Sequence, residues 1–292
     1  RDRYRKGPIS PDFKIDEVLP HLFNKSVEHI NEKASAAKKG KPFFLYLPLP
    51  APHTPIVPVP PFKDASGINP YADFVMQCDH HMGQLFSALK ENGIDENTLV
   101  VFTTDNGCSP QGNFDVLKKY GHDPSGEFRG HKADLYEGGH RVPFIASWPL
   151  GNVGDGNDKT SGATRSSLIA LNDLYATFAE MVGESLPPVS GKGRGAEDSV
   201  SQLQALQGRK DFVRPGAIFP NDHKEATKKR SDGRAVVAVR TNEAPLPGQW
   251  KLFLDSSYAW EGKLQPTELY NLANDPKEST NLLNQDDVKP VL

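Results

Sequence analysis

Leu99 to Pro143 reads LVVFTTDNGCSPQGNFDVLKKYGHDPSGEFRGHKADLYEGGHRVP, and the fold follows from how it opens. Leu99-Val100-Val101-Phe102 is a short apolar, β-branched run of the kind buried in a parallel sheet. Asp105-Asn106-Gly107 stops it, so a carboxylate and an amide stand at the strand's carboxyl end. In open α/β sheets, ligands bind in the crevice beyond those ends. Both side chains offer oxygen, which suits a hard cation such as Ca²⁺ or Mg²⁺. Asp-Asn-Gly is equally ordinary turn chemistry. These three residues alone leave both readings open.

Working outward, Pro42 to Leu47 (PFFLYL) is expected as a buried strand. Tyr71 to Asn92 is expected as a helix with an apolar stripe of Tyr71, Phe74, Val75, Cys78, Met82, Leu85, Phe86 and Leu89, stopped by Gly93. Strand, helix and the strand at Val100 then form a right-handed βαβ crossover. That crossover brings His53, in the proline-stiffened loop Pro48 to Pro55, to the same sheet edge as Asp105. Cys78 reads as a small core residue. Asp79-His80-His81 does not converge on one ion, because adjacent helical residues point apart.

Upstream, Ile15 to Ala37 is expected as an amphipathic helix ending in Lys38-Lys39-Gly40-Lys41. Downstream, Phe144 to Trp148 is a strand, Gly151 to Gly162 a loop, and Asn172 to Val182 a helix capped by Asn172. After Leu186-Pro187-Pro188 the character changes. Ala217-Ile218-Phe219, Ala235 to Arg240 and Trp250 to Leu254 read as antiparallel strands, with a charged loop from His223 to Arg234. The expected division is 1–188 and 189–292.

Composition narrows the function. The chain has 292 residues, 37% apolar and 24% charged, as in a soluble globular protein. A net charge of −3 argues against a general nucleic-acid or anionic-membrane binder. No apolar run is long enough to span a bilayer. Two cysteines, Cys78 and Cys108, make no disulfide framework. Arg1 to Lys6 carries no initiator Met and no signal core, so the expectation is a piece of a longer protein.

Asp105-Asn106-Gly107 after a strand, Lys132 further on, then Glu137-Gly138-Gly139-His140-Arg141-Val142-Pro143, together with Ala51-Pro52-His53-Thr54-Pro55 and the tail Glu268 to Leu282, resemble the sulfatase family of the alkaline-phosphatase-like superfamily. The resemblance spans most of Lys41 to Leu282. It implies an α/β fold, a partial alkaline-phosphatase-like mixed or parallel sheet flanked by helices, with a small C-terminal antiparallel-sheet subdomain. It further implies hydrolysis of a sulfate ester, the common substrates being sulfated carbohydrates. Asp105 and Asn106 would ligate Ca²⁺ or Mg²⁺. Lys132 would bind the sulfate oxygens, and His53 would bind the sulfate and protonate the leaving oxygen. Arg129, His131 and His140 would be substrate contacts, while Glu137 and Arg141 would fix the Gly-Gly turn. The tail would be a structural clasp.

The family's formylglycine nucleophile comes from Cys-x-Pro-Ser-Arg. Cys108-Ser109-Pro110-Gln111-Gly112 matches only its first three residues and follows the Asp-Asn pair, so Cys108 reads as a loop residue. No Asp-Asp pair precedes Phe43 either. The nucleophile and the other metal ligands are therefore expected upstream of this chain, leaving it inactive alone. Similar bacterial-looking sulfatases act in the periplasm or outside the cell. Competing readings are a phosphoesterase or phosphonate hydrolase of the same superfamily, which would need two Asp/His metal clusters, and a non-catalytic carbohydrate-binding pseudoenzyme.

Overall fold

A computed structural model describes residues 7–154, 162–188, 195–211, 213–220, 237–243, 245–258 and 263–292. The amino-terminal stretch to Lys6, most of the Gly151 to Gly162 loop, the charged His223 to Arg234 segment and Ala235-Val236 lie outside the described residues. Helices are α1 (Val18–Ala37), α2 (Pro70–Glu91), α3 (Phe114–Lys119), α4 (Glu137–His140), α5 (Asp173–Met181) and α6 (Leu203–Leu206). Strands are β1 (Val100–Thr103), β2 (Phe144–Ser147), β3 (Gly216–Pro220), β4 (Val237–Thr241), β5 (Trp250–Tyr258) and β6 (Lys263–Asn271). The mixture is α/β. The chain parts into two compact units, one of Arg1–Glu96 with Gln111–His122, the other of Asn97–Pro110 with Asp123–Leu292.

In the first unit α1 and α2 pack together. Leu19, Phe23, Ile30 and Ala34 are buried on α1, at the three-to-four spacing that keeps side chains on one face. Asn69 caps α2, its side chain accepting from the N–H of Ala72 at 2.9 Å, with Pro70 at the first position. The buried stripe of α2 runs Phe74, Gln77, His81, Leu85, Ala88 and Leu89. Phe74, Leu85 and Leu89 are buried as expected, but the stripe is rotated enough to leave Val75 42% and Phe86 48% exposed. Two polar residues occupy the stripe because each finds a partner. Gln77 accepts from the N–H of Val59 at 3.0 Å, and His81 stacks on Phe23 with centroids 4.9 Å apart. Asp73 accepts from the N–H groups of Asp64 and Ser66, both at 2.8 Å, and so ties the preceding loop to the helix. Burial pushes the Cys78 thiol up to about 11, which keeps it protonated and unreactive.

The expected strand over 42–47 does not form. Its backbone pairs with no ladder among the described residues, and Phe44 and Tyr46 are 70% and 76% exposed. An apolar run becomes a strand only where a neighbour takes its N–H and C=O groups, so the βαβ crossover is absent here. β1 pairs instead with β2, antiparallel, Val100 opposite Ser147 and Thr103 opposite Phe144. All four β1 residues are half-buried rather than buried.

In the second unit β3-β4-β5-β6 form an antiparallel sheet. Register aligns Ala217, Arg240, Lys251 and Tyr270 in one row, and Phe219, Ala238, Phe253 and Glu268 in the next. Alternation puts both rows on one face. Leu135, Ala238, Phe253, Tyr270 and Leu272 cluster there, with Tyr136 and Phe219 against them. On the other face Trp250 and Leu269 pack with Val288, Leu282, Leu283 and Val291 of the tail. Helix α5 begins one residue after its expected cap. Asn172 makes no side-chain cap bond, and Asp173 accepts from the N–H of Ala170 at 3.0 Å instead.

Candidate active site

The segment from Gly107 to Arg141 is held by main-chain bonds. Gly107 N–H donates to the Gly139 carbonyl at 2.9 Å, Lys132 N–H to the Cys108 carbonyl at 3.0 Å, and Gly138 N–H to the Arg129 carbonyl at 2.7 Å. This approach requires glycine. A Cβ on Gly107 would stand 1.9 Å from the Gly138 oxygen, one on Gly138 2.3 Å from the Gly130 oxygen, and one on Gly139 2.1 Å from the Asp134 oxygen. The loop that carries Asp105 and Asn106 is thus bonded to the loop that carries Lys132.

The three side chains on those loops are little used. Asp105 is exposed, and its carboxylate has no hydrogen-bond or ion-pair partner among the described residues. Asn106 donates its amide N–H to the Gly107 carbonyl at 3.2 Å, which leaves Oδ1 as an acceptor. The Lys132 ammonium pairs with nothing among the described residues. His53 belongs to the first unit and is exposed there. Its Nδ1–H donates to the Thr54 carbonyl at 2.7 Å, since a carbonyl can only accept, and Nε2 is left for another partner. The Thr54 hydroxyl donates to Gln111 Oε1 at 3.1 Å. The Cys108 thiol donates to the Ser109 carbonyl at 3.6 Å.

Arg129 and His140, both expected as substrate contacts, have protein partners: Arg129 on Tyr136 and the tail, His140 on the C-terminal sheet. The Arg129 guanidinium stacks on Tyr136 at 3.8 Å and donates to the Glu278 carbonyl at 3.1 Å. His140 stacks on Phe219 with centroids 4.1 Å apart, and its Nε2 lies 3.2 Å from Lys251 Nζ. His131 Nδ1–H donates to the Lys132 carbonyl at 3.0 Å.

Beneath these loops is an ionic cluster around Glu137, which is wholly buried. Register sets Arg240 and Lys251 directly opposite each other on β4 and β5, a repulsive pair if left alone. Glu137 bridges them, Oε1 3.0 Å from Lys251 Nζ and Oε2 3.2 Å from Arg240 Nη1. Glu278 adds a second anion, with Oε1 2.8 Å from Lys251 Nζ and Oε2 accepting from the Glu137 N–H at 2.6 Å. Two carboxylates thus meet two buried cations, and Arg141 approaches Glu137 at 3.5 Å from the edge. Burial alone would raise Glu137, but His140, Lys251 and Arg240 outweigh it and hold the carboxyl far below the usual carboxylate range. Burial pushes Glu278 up, with Lys251 opposing.

Comparison with known proteins gives this frame a family. The Sulfatase family model matches residues 11–184. The chain belongs to the sulfatase family. N-acetylgalactosamine-6-O-sulfatase of Bacteroides thetaiotaomicron is 28% identical over 291 residues, covering 96% of this chain and 50% of that protein. Human arylsulfatase A is 31% identical over 259 residues, covering 86% and 46%. A solved Bacteroides thetaiotaomicron structure, described under the metabolism of multiple glycosaminoglycans, superposes with TM-score 0.69 at 28% identity, covering 94% of this chain and 52% of that one. Ps i-CgsB in complex with k-i-k-neocarrahexaose gives 0.63 at 25% identity, covering 92% and 51%. The chain spans about half the length of the curated relatives it matches.

Sulfatases generally use a divalent metal, and the donors here fit a hard cation in kind. In number they fall short. Asp105 and Asn106 offer two or three oxygens where Ca²⁺ takes about six to eight. Among the described residues no group of three or more His, Cys, Asp or Glu could hold an ion. Lys251, Arg240 and Glu278 were not foreseen as neighbours of the site. One signal was there: Lys251 has the same parity as Phe253 in Trp-Lys-Leu-Phe-Leu, so an inward Phe253 carries the lysine inward too.

Proposed function

We propose that this sulfatase chain supplies one half of the active site of a sulfuric ester hydrolase acting on sulfated carbohydrate. The nucleophile and the remaining metal ligands come from outside the residues present. The observation that carries this reading is the main-chain bonding of the Asp105-Asn106 loop to the Lys132 loop. It keeps two cation-binding side chains and one free ammonium on a single glycine-locked frame. The names of the relatives, a GalNAc-6-O-sulfatase among them, support the substrate class. Family practice favours the periplasm or the cell exterior.

Asp105 and Asn106 would hold Ca²⁺ or Mg²⁺, and the ion when bound offsets charge on the sulfate oxygens. Lys132 sets a fixed positive charge against the same oxygens, where negative charge grows in the transition state. His53, steadied through its Nδ1–H by the Thr54 carbonyl, would give the departing alkoxide a proton from Nε2 only as the imidazolium, with both ring nitrogens protonated. Loops already joined by main-chain bonds have little orientation entropy left to lose at the moment of reaction.

The deciding experiment assays this chain and a relative-length form of the same protein side by side on an aryl sulfate and a sulfated N-acetylhexosamine. Turnover by the longer form alone is the expected result. Equal turnover by this chain would refute the half-site reading, and no turnover by either would refute the activity.

A further inference from the structure

The imidazole of His140 is unusually constrained for a residue expected to contact substrate. Its side chain is 17% exposed. From β3, Phe219 lies against one ring face. From β5, Lys251 Nζ stands 3.2 Å from Nε2. From its own helix, Glu137 Oε1 is 3.4 Å from Nε2. From β4, Arg240 reaches the other oxygen of that carboxylate, and Glu278 of the tail lies beyond Lys251.

An ammonium has three donors and no acceptor. Its 3.2 Å approach calls for a lone pair on Nε2 and is closer than the 3.4 Å from Nε2 to Glu137 Oε1, so the geometry favours the ring proton on Nδ1. A second positive charge on the ring would face both Lys251 and Arg240 in a site with little water. Burial, with those cations adding to it, accordingly holds His140 below the ordinary histidine range, against the pull of Glu137. Among the described residues nothing takes a hydrogen bond from Nδ1.

We propose that Lys251 is a positioning residue that fixes His140 as the neutral Nδ1–H tautomer. His140 then offers substrate an uncharged donor, and selects an uncharged acceptor such as a sugar hydroxyl or ring oxygen rather than a sulfate oxygen. The substrate half of this inference rests on the sulfated-carbohydrate reading above; the tautomer half does not.

The test for the tautomer is ¹⁵N NMR of the histidine-labelled protein without substrate, with His140→Gln assigning the resonance. The expected spectrum has a protonated Nδ1 and an unprotonated Nε2, unchanged from about pH 8 to about pH 6. Lys251→Met, and as a second variant Lys251→Gln, should raise the titration midpoint of His140 by about one unit. A wild-type Nε2–H tautomer, or a wild-type imidazole that charges with an ordinary midpoint near 6.5, would overturn the inference whether or not either variant folds. The substrate half is read in the longer protein. His140→Phe should raise KM for a sulfated N-acetylhexosamine about fivefold to tenfold more than KM for an aryl sulfate, the worth of one hydrogen bond to a sugar oxygen. Equal losses on both substrates would overturn it. If neither substrate is hydrolysed, the activity reading fails while the tautomer result stands.

Discussion

Gly107 and Gly139 are joined by a 2.9 Å main-chain hydrogen bond, and their neighbours leave no volume for a side chain. A Cβ on Gly107 would meet a backbone oxygen, which cannot swing away as a flexible side chain could. We expect Gly107→Ala to destabilise the protein by about 2–4 kcal/mol. The control is Gly83, in the exposed interior of α2 with nothing near its ideal Cβ. Gly83→Ala should stabilise by about 0.5–1 kcal/mol. Denaturant unfolding of both variants measures the opposite signs.

Asp173 gathers a second buried ionic site. Its carboxylate accepts from the N–H groups of Ala170 and Val200, from the Gln202 amide and from Arg214. Removing one partner of such a pair leaves an uncompensated buried charge. Arg214→Met should therefore cost about 3–5 kcal/mol. Adding Asp173→Leu to Arg214→Met should recover part of that loss, because no ion then remains to be desolvated. A double-mutant cycle checks it.

Acid should weaken the second unit over two pH windows. His140 and Glu137 both have folded pKa values below their unfolded ones. The stability each contributes is therefore complete above its unfolded pKa and is lost as pH falls toward the folded one. The His140 share starts to go below about pH 6.5, and the Glu137 share below about pH 4.3. Glu278, shifted upward, works in the opposite sense. Urea midpoints measured across pH should fall in both windows, and Glu137→Gln should abolish the lower one.

Lys132 offers a cleaner functional probe than any buried residue, since its ammonium supports nothing else among the described residues. In the longer protein Lys132→Ala should lower kcat about a hundredfold or more, with the melting temperature unchanged. Asp105→Ala should weaken Ca²⁺ or Mg²⁺ binding at least about tenfold by calorimetry. Unaltered binding would remove Asp105 from the ligand set.

Much of the fold could be read from local chemistry. Gly93 stops α2 where expected, because a glycine stop acts within a residue or two of the helix end. The expected strands of the C-terminal sheet rested on short-range alternation and likewise formed. What depended on distant partners was not legible. Pro42 to Leu47 has a strand's composition, yet composition does not say which edge will receive it. The stripe of α2 turned because Gln77 and His81 found partners on α1 and on the loop around Val59, neither of which periodicity can see. The loops bearing Asp105 and Lys132 were recognisable from motifs, but the ion cluster beneath was not. A lysine in an apolar strand looks solvent-facing until the register sets it against Arg240 and under Glu137.

Glu137 sits in a signature segment, yet its counter-ions arrive more than a hundred residues later, on β4 and β5. Anyone trimming the protein to a minimal catalytic piece should heed that distance. A truncation at residue 188 would look harmless on a motif map, and it would strand a desolvated anion at the heart of what remained.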